Sequence, residues 1–167
     1  MLRRHREEGT RYQMREKMLS IGDDFWIEDE QGRRAFKVDG KAMHVRDTFV
    51  LEDASGNEVA KIQERKLHVR DTMAIERGGH TIATVHKRLV GFRDHLKVEV
   101  EDGEDMKVHG NLVDHEYEIE RGRDKVAEIS KKWFRIRDSY GVDIQPGQDD
   151  PLILAITVVV DQMSGVG

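Results

Sequence analysis

Cations recur along this chain at a common phase, and cations held in register are what a phosphate-bearing ligand requires. His44-Val45-Arg46-Asp47-Thr48 returns unchanged as His68-Val69-Arg70-Asp71-Thr72 after 24 residues, and fainter copies follow around Arg93 and Arg137. Five residues before each of these arginines stands another cation: Lys41, Arg65, Arg88 and Lys132. Lys66, Lys87 and Lys131 adjoin them. Equivalent positions in a repeated unit occupy equivalent places in a fold. These seven side chains are therefore candidates for an anionic site, holding phosphate by ammonium point charges and guanidinium forks. The competing reading is that cations beside turns keep strand edges soluble.

Other chemistry is less well supported by the residue spacing. The pairs Arg46-Asp47, Arg70-Asp71, Arg93-Asp94 and Arg137-Asp138 place neighbours on opposite faces of a strand, so neither pair member assists the other on one substrate. Their aspartates are expected to accept hydrogen bonds from turn amides or from an arginine of the next unit. His44 and His68 share a phase of the repeat, and His80 and His86 share a strand face, but six residues of strand separate the latter by roughly 20 Å. His109 and His115 span a glycine turn without an evident third ligand. No metal site and no cofactor are expected. Ser20, Ser55, Ser130, Ser139 and Ser164 lie in no nucleophile elbow, and Gly78-Gly79 reads as a hairpin turn rather than a phosphate loop. The chain reads as a non-enzymatic binding module, with no catalytic residues and a hydrolase as a distant alternative.

Composition bounds the partners. The 167 residues carry a formal net charge of −5, 37% charged residues and a mean hydropathy of −0.69, which argues against a general nucleic-acid binder. Residues 1–17 carry six Lys or Arg against three Glu, a basic stretch ahead of an acidic body. Its first part, residues 1–11, is expected to form an arm that is either a solvated terminus or a contact with an anionic surface. The absence of cysteine removes disulfides and thiolate chemistry and is compatible with a reducing cytosol. With no apolar segment near Met1, the expectation is a cytoplasmic protein.

The elements that must position these groups are short. Apolar alternations such as Ala35-Phe36-Lys37-Val38, Val59-Ala60-Lys61-Ile62 and Ile82-Ala83-Thr84-Val85 follow turns at Gly32, Gly56 and Gly78-Gly79, and the pattern returns at Gly122. Alternation over four to eight residues bounded by glycine turns marks half-buried antiparallel strands. Ten to twelve strands follow, a barrel or sandwich rather than a parallel α/β sheet. Near the C-terminus, Asp149-Asp150-Pro151 precedes the apolar run Leu152–Val160. Although its β-branched residues favour a strand locally, the aspartate cap and proline predict a helix over 151–163. At about 1.5 Å per residue this helix is roughly 20 Å long, short of a ~30 Å bilayer core. Burial inside the sheet is expected, and no transmembrane segment.

The blocks Tyr12-Gln13-Met14-Arg15-Glu16-Lys17 and Ile21-Gly22-Asp23-Asp24-Phe25-Trp26-Ile27-Glu28-Asp29-Glu30-Gln31-Gly32, the Arg-Asp repeats, Lys132-Trp133-Phe134, Asp138-Ser139-Tyr140-Gly141-Val142 and the capped apolar helix together resemble the LURP-one-related family. That family shares the tubby C-terminal-like fold with tubby proteins and phospholipid scramblases. The resemblance implies one tubby-like domain over residues 1–167, a closed antiparallel barrel of about twelve strands around the central C-terminal helix. The tubby branch binds phosphoinositide headgroups through basic surface residues, but no headgroup motif matches here residue by residue, and no scramblase calcium or palmitoylation feature is identified. The expected partners are anionic phospholipid headgroups, at the inner membrane surface, through the cations named above; a protein-interaction scaffold is the alternative.

Overall fold

The computed structural model describes residues 9–15, 24–39, 48–64, 72–90, 93–134 and 138–164, with the backbone alone at Glu64, Arg88–Val90, Arg93 and Asp94. Twelve strands precede one helix: β1 (Thr10–Arg15), β2 (Asp24–Asp29), β3 (Arg34–Asp39), β4 (Thr48–Asp53), β5 (Glu58–Glu64), β6 (Thr72–Arg77), β7 (His80–Val90), β8 (Arg93–Val100), β9 (Met106–Asn111), β10 (Glu116–Arg121), β11 (Asp124–Ser130), β12 (Ser139–Ile144) and α1 (Asp150–Ser164). Each strand pairs antiparallel with its sequence neighbours, and β1 closes the sheet on β12 from Thr10 opposite Ile144 to Arg15 opposite Ser139. Arg11 therefore belongs to the wall, and of the arm expected over 1–11, residues 1–8 lie outside the described residues.

The repeat has a structural counterpart in four hairpins. The register slips between Ile27 and Glu28, Leu51 and Glu52, Ile75 and Glu76, and Ile119 and Glu120, each just before a turn. Such bulges add right-handed twist, which a sheet needs in order to curl into a barrel. In the first two turns the aspartate ending the strand caps the loop: Asp29 Oδ1 accepts from the amides of Gln31 and Arg33, and Asp53 Oδ1 from those of Ser55 and Asn57, all at 2.9 Å. Gly32 and Gly56 then adopt φ of 75° and 87°, a region a side chain would strain. Turn-amide acceptors are thus Asp29 and Asp53. Of the four aspartates expected in that role, Asp47 and Asp71 lie outside the described residues, Asp94 has only its backbone described, and Asp138 is exposed with φ of 62°.

Inward-facing residues of every strand close on α1, whose side chains from Leu152 to Val160 are all buried. A helix apolar on all sides has no face to give to water and is stable only when surrounded. Its β-branched run survives as helix because the enclosing sheet rewards burial more than local propensity penalises it. Thr157, the polar residue in that run, donates its hydroxyl to the Leu154 carbonyl at 2.6 Å. The helix begins one residue earlier than expected. The Asp149 carbonyl accepts the first helical bond from Ile153, and its carboxylate accepts from the Leu152 amide. Asp149 is the cap and Pro151 stands second in the helix, where its missing N–H still costs nothing.

Polar contacts clamp both helix ends to the wall. At the N-terminus Arg77 grips Asp149 through two nitrogens at 2.8 and 2.9 Å and donates its Nε to the Val59 carbonyl. Tyr12 donates its hydroxyl to Asp150 at 2.7 Å. Burial and the nearby Asp150 carboxylate raise the Tyr12 phenol above its ordinary range, and burial raises the Asp150 carboxyl. Asp149 differs: desolvation alone would raise its carboxyl, but the Arg77 guanidinium and the Leu152 amide hold it below the usual value. A depressed carboxyl contributes stability above its unfolded-state pKa and loses it as pH falls through the folded one. Arg77→Met is expected to cost about 1 kcal/mol at neutral pH, discounted for the partial exposure of the pair. The variant should also lose less stability than wild type between about pH 5 and pH 3, as read by urea denaturation at each pH.

Candidate functional site

Sequential antiparallel strands send alternate connections to opposite ends of a barrel. The segments 16–23, 40–47, 65–71, 91–92, 112–115 and 131–138 all join strand ends at one rim. The segments 30–33, 54–57, 78–79, 101–105, 122–123 and 145–149 join strand ends at the other. The helix N-terminus lies at this second rim, with Asp149 on Arg77 of β6, and its C-terminus at the first, with Asp161 on His115. Charge divides between the two. Connections of the first rim carry ten Lys or Arg against six Asp or Glu, and those of the second carry two against six. Of the repeat cations with described side chains, Lys131 and Lys132 lie in the 131–138 connection of the first rim.

The expected site residues fare differently. Lys41, Arg65 and Lys66 lie outside the described residues, although the strand ends bracketing them, Asp39 and Thr48, and Glu64 and Thr72, are at the first rim. Lys87 and Arg88 occupy opposite phases of β7. Lys87 follows the phase of the buried Ala83 and Val85, and of Arg88 only the backbone is described. Lys131 and Lys132 are exposed beyond β11. Lys132 Nζ lies 3.7 Å from Glu128 and 5.7 Å from the Trp133 ring.

Trp133 and Phe134 fold back over the outer wall. A methyl group at Gly141 would come within 2.7 Å of Trp133 and 2.9 Å of Phe134, so the absent Cβ is what admits the two rings. Arg11 stacks its guanidinium 4.4 Å from the Trp133 ring centroid while reaching Asp143 at 3.5 Å. The side of the barrel next to Lys131 and Lys132 therefore carries an aromatic surface edged by cations. Val113, in the 112–115 connection, is the exposed large hydrophobic among the described residues, at 70%. Sequence spacing did not single out Arg11, Trp133 or Val113 as site residues; it is the closure of β1 on β12 that brings Arg11 to the Trp133 ring.

Two further polar groupings appear. Behind the first rim, Asp161 accepts from the Tyr140 hydroxyl at 2.6 Å and lies 2.9 Å from His115 Nε2, with the imidazole stacked on the Tyr140 ring at 4.1 Å. Burial, and then the charge of Asp161, push the neighbouring Tyr117 phenol well up. These groups are enclosed, and they tie the helix to the wall. On the outer wall, His109 of β9 stands opposite Glu118 of β10, with Glu120 beside them. The expectation that His109 lacked ligating neighbours considered only His115; cross-strand register supplies two carboxylates instead.

The LURP-one-related family model matches residues 10–161. The chain belongs to that family. A solved structure of a protein from Arabidopsis thaliana is similar to this LURP-one-related chain with a TM-score of 0.71 at 23% identity, covering 94% of this chain and 92% of that one. That likeness shows the shared fold, the closed twelve-stranded barrel around a C-terminal helix. None of the curated proteins matches the chain. No helix among the described residues is long and apolar enough to cross a membrane.

Proposed function

We propose that this LURP-one-related barrel is a non-enzymatic binding module that docks its cation-rich rim on anionic phospholipid headgroups, as a peripheral protein of the cytoplasmic membrane face. What supports the reading is that the repeat cations fall, in the sequence, within or beside stretches whose flanking strand ends share the first rim. Overall net charge does not oppose it. A six-residue strand holds the rims about 20 Å apart, more than two Debye lengths at physiological salt, so a membrane meeting the basic rim is largely screened from the acidic one. Large apolar residues differ too: the exposed Val113 lies in a first-rim connection, whereas the sequence of the second-rim connections contains no Val, Ile, Leu, Met, Phe or Trp. Cations with interspersed apolar side chains are the composition of a surface that sits at a bilayer interface.

Co-sedimentation with vesicles tests this. Binding is expected to vesicles of phosphatidylcholine with phosphatidylserine at low salt, to weaken as salt rises, and to be absent with phosphatidylcholine alone. Reversing charge at Lys41, Arg65, Arg88 and Lys132 together should weaken binding at least a thousandfold, at about 1 kcal/mol per cation near the surface. No sedimentation with anionic vesicles at low salt excludes the headgroup reading and leaves a protein partner. Undiminished binding by the quadruple variant would move the site to the basic N-terminal residues.

A further inference from the structure

We propose that His109, Glu118 and Glu120 form a site for a divalent transition-metal ion on the outer wall of the barrel, in the middle of β9 and β10. His109 and Glu118 are direct register partners across β9 and β10, and Glu120 follows Glu118 by two residues on the same face. Their inward neighbours Val108 and Ile119 are fully buried, which fixes the three polar side chains outward and together. One ligand atom from each lies within 4.8 Å of the other two, a spread that a single ion with bonds near 2.0–2.2 Å closes by small rotamer adjustments.

The His109 imidazole supplies an independent observation. Its Nε2 is shielded from solvent and lies 2.9 Å from Glu120 Oε1, yet it makes no hydrogen bond. A nitrogen facing a carboxylate oxygen without a hydrogen bond between them is poorly satisfied, and an ion held by both would coordinate them together. Competing cations are only loosely held at the opposite carboxylate. Lys125 Nζ is 4.0 Å from Glu118 but 3.3 Å from Glu128, so its nearer partner lies elsewhere. Two carboxylates and a neutral imidazole carry a charge of −2, which a divalent ion neutralises. The donor set is one nitrogen and two oxygens, suited to zinc or a similar borderline ion and ill suited to calcium, which takes six to eight oxygens. With three protein ligands, the outward positions are left to water or to a group on a partner. An ion there would pin the β9–β10 hairpin, whose connection carries His115, the residue that meets Asp161 at the end of α1.

The ligands are 38%, 39% and 30% exposed, so their substitution leaves the core intact. Isothermal titration of the full chain with zinc chloride is expected to show one saturable site. The melting temperature should rise by about 5 °C at a hundredfold excess over the dissociation constant and return on addition of EDTA. Calcium should give no such rise. His109→Ala, Glu118→Gln and Glu120→Gln should each abolish the shift, while His86→Ala, at the other cross-strand His–Glu pair, should retain it. A wild-type chain without saturable binding overturns the proposal, and so does a shift that persists in His109→Ala or Glu120→Gln. Vesicle binding is a separate readout and should be unaltered in all three variants.

Discussion

Ile156→Asp is expected to unfold the barrel or to lower its melting temperature by roughly 10–20 °C. Ile156 is fully buried at the middle of α1, within the unbroken buried stretch from Leu152 to Val160. The substitution removes an isoleucine from close packing, at about 2–5 kcal/mol. It also places a carboxyl group where no donor waits, adding a polar-desolvation cost of about 1–3 kcal/mol even after protonation. A total near 5 kcal/mol is a large part of the 5–15 kcal/mol that stabilises an ordinary domain, and in a chain of this size each kcal/mol is worth about 2–4 °C. Ile156→Val keeps the apolar character and should cost only about 1 kcal/mol. Thermal unfolding followed by circular dichroism compares the two. A near-wild-type melting temperature for the aspartate variant would contradict a helix enclosed by the sheet.

Asp161→Ala should cost about 3–5 kcal/mol, more than any substitution on the outer wall. The carboxylate sits in the last turn of α1, where the helix dipole disfavours negative charge and no basic residue of that turn offsets it. It is held by the Tyr140 hydroxyl and the His115 imidazole, and the side chains of His115 and Asp161 are each 12% exposed. Removing one partner of a buried polar pair leaves the others to be desolvated without return. Tyr140→Phe deletes one charge-assisted bond and should cost about 1.5–3 kcal/mol. Groups that share a network do not add, so the double variant should lose clearly less than the sum of the single losses in urea denaturation. Strict additivity would mean that the contact does not fasten the helix to the wall. Asp161→Asn, which still offers Tyr140 an acceptor, should fall between wild type and Asp161→Ala.

The hairpins were legible in the sequence because their grammar is local. An apolar residue, a glutamate and a glycine turn recur at Ile27, Leu51, Ile75 and Ile119, and each residue acts on neighbours within a few positions. The helix was legible for a related reason. Asp149, Pro151 and an unbroken apolar run state both where it starts and that it must be covered, and only the cap moved by one residue. Site readings depended on longer distances. Lys87 takes the phase of the buried Ala83 and Val85 in β7, which its place in the repeat does not show. Asp29 and Asp53 are acceptors seen at the turns, while Asp47, Asp71 and the Asp94 side chain lie outside what is described.

By itself, then, the chain's order of residues determined the unit, its period, the strand and turn within it, and the helix that the units enclose, since all of these follow from contacts between residues close in sequence. Tertiary structure decided which groups share an end or a face. Only closure of β1 on β12 sets Arg11 beside Trp133, and only antiparallel alternation decides which connections share a rim. Pairing of β9 with β10 likewise brings His109 to Glu118 and Glu120. Juxtapositions of this kind depend on register and direction across strands, and a linear pattern of types and spacings carries neither.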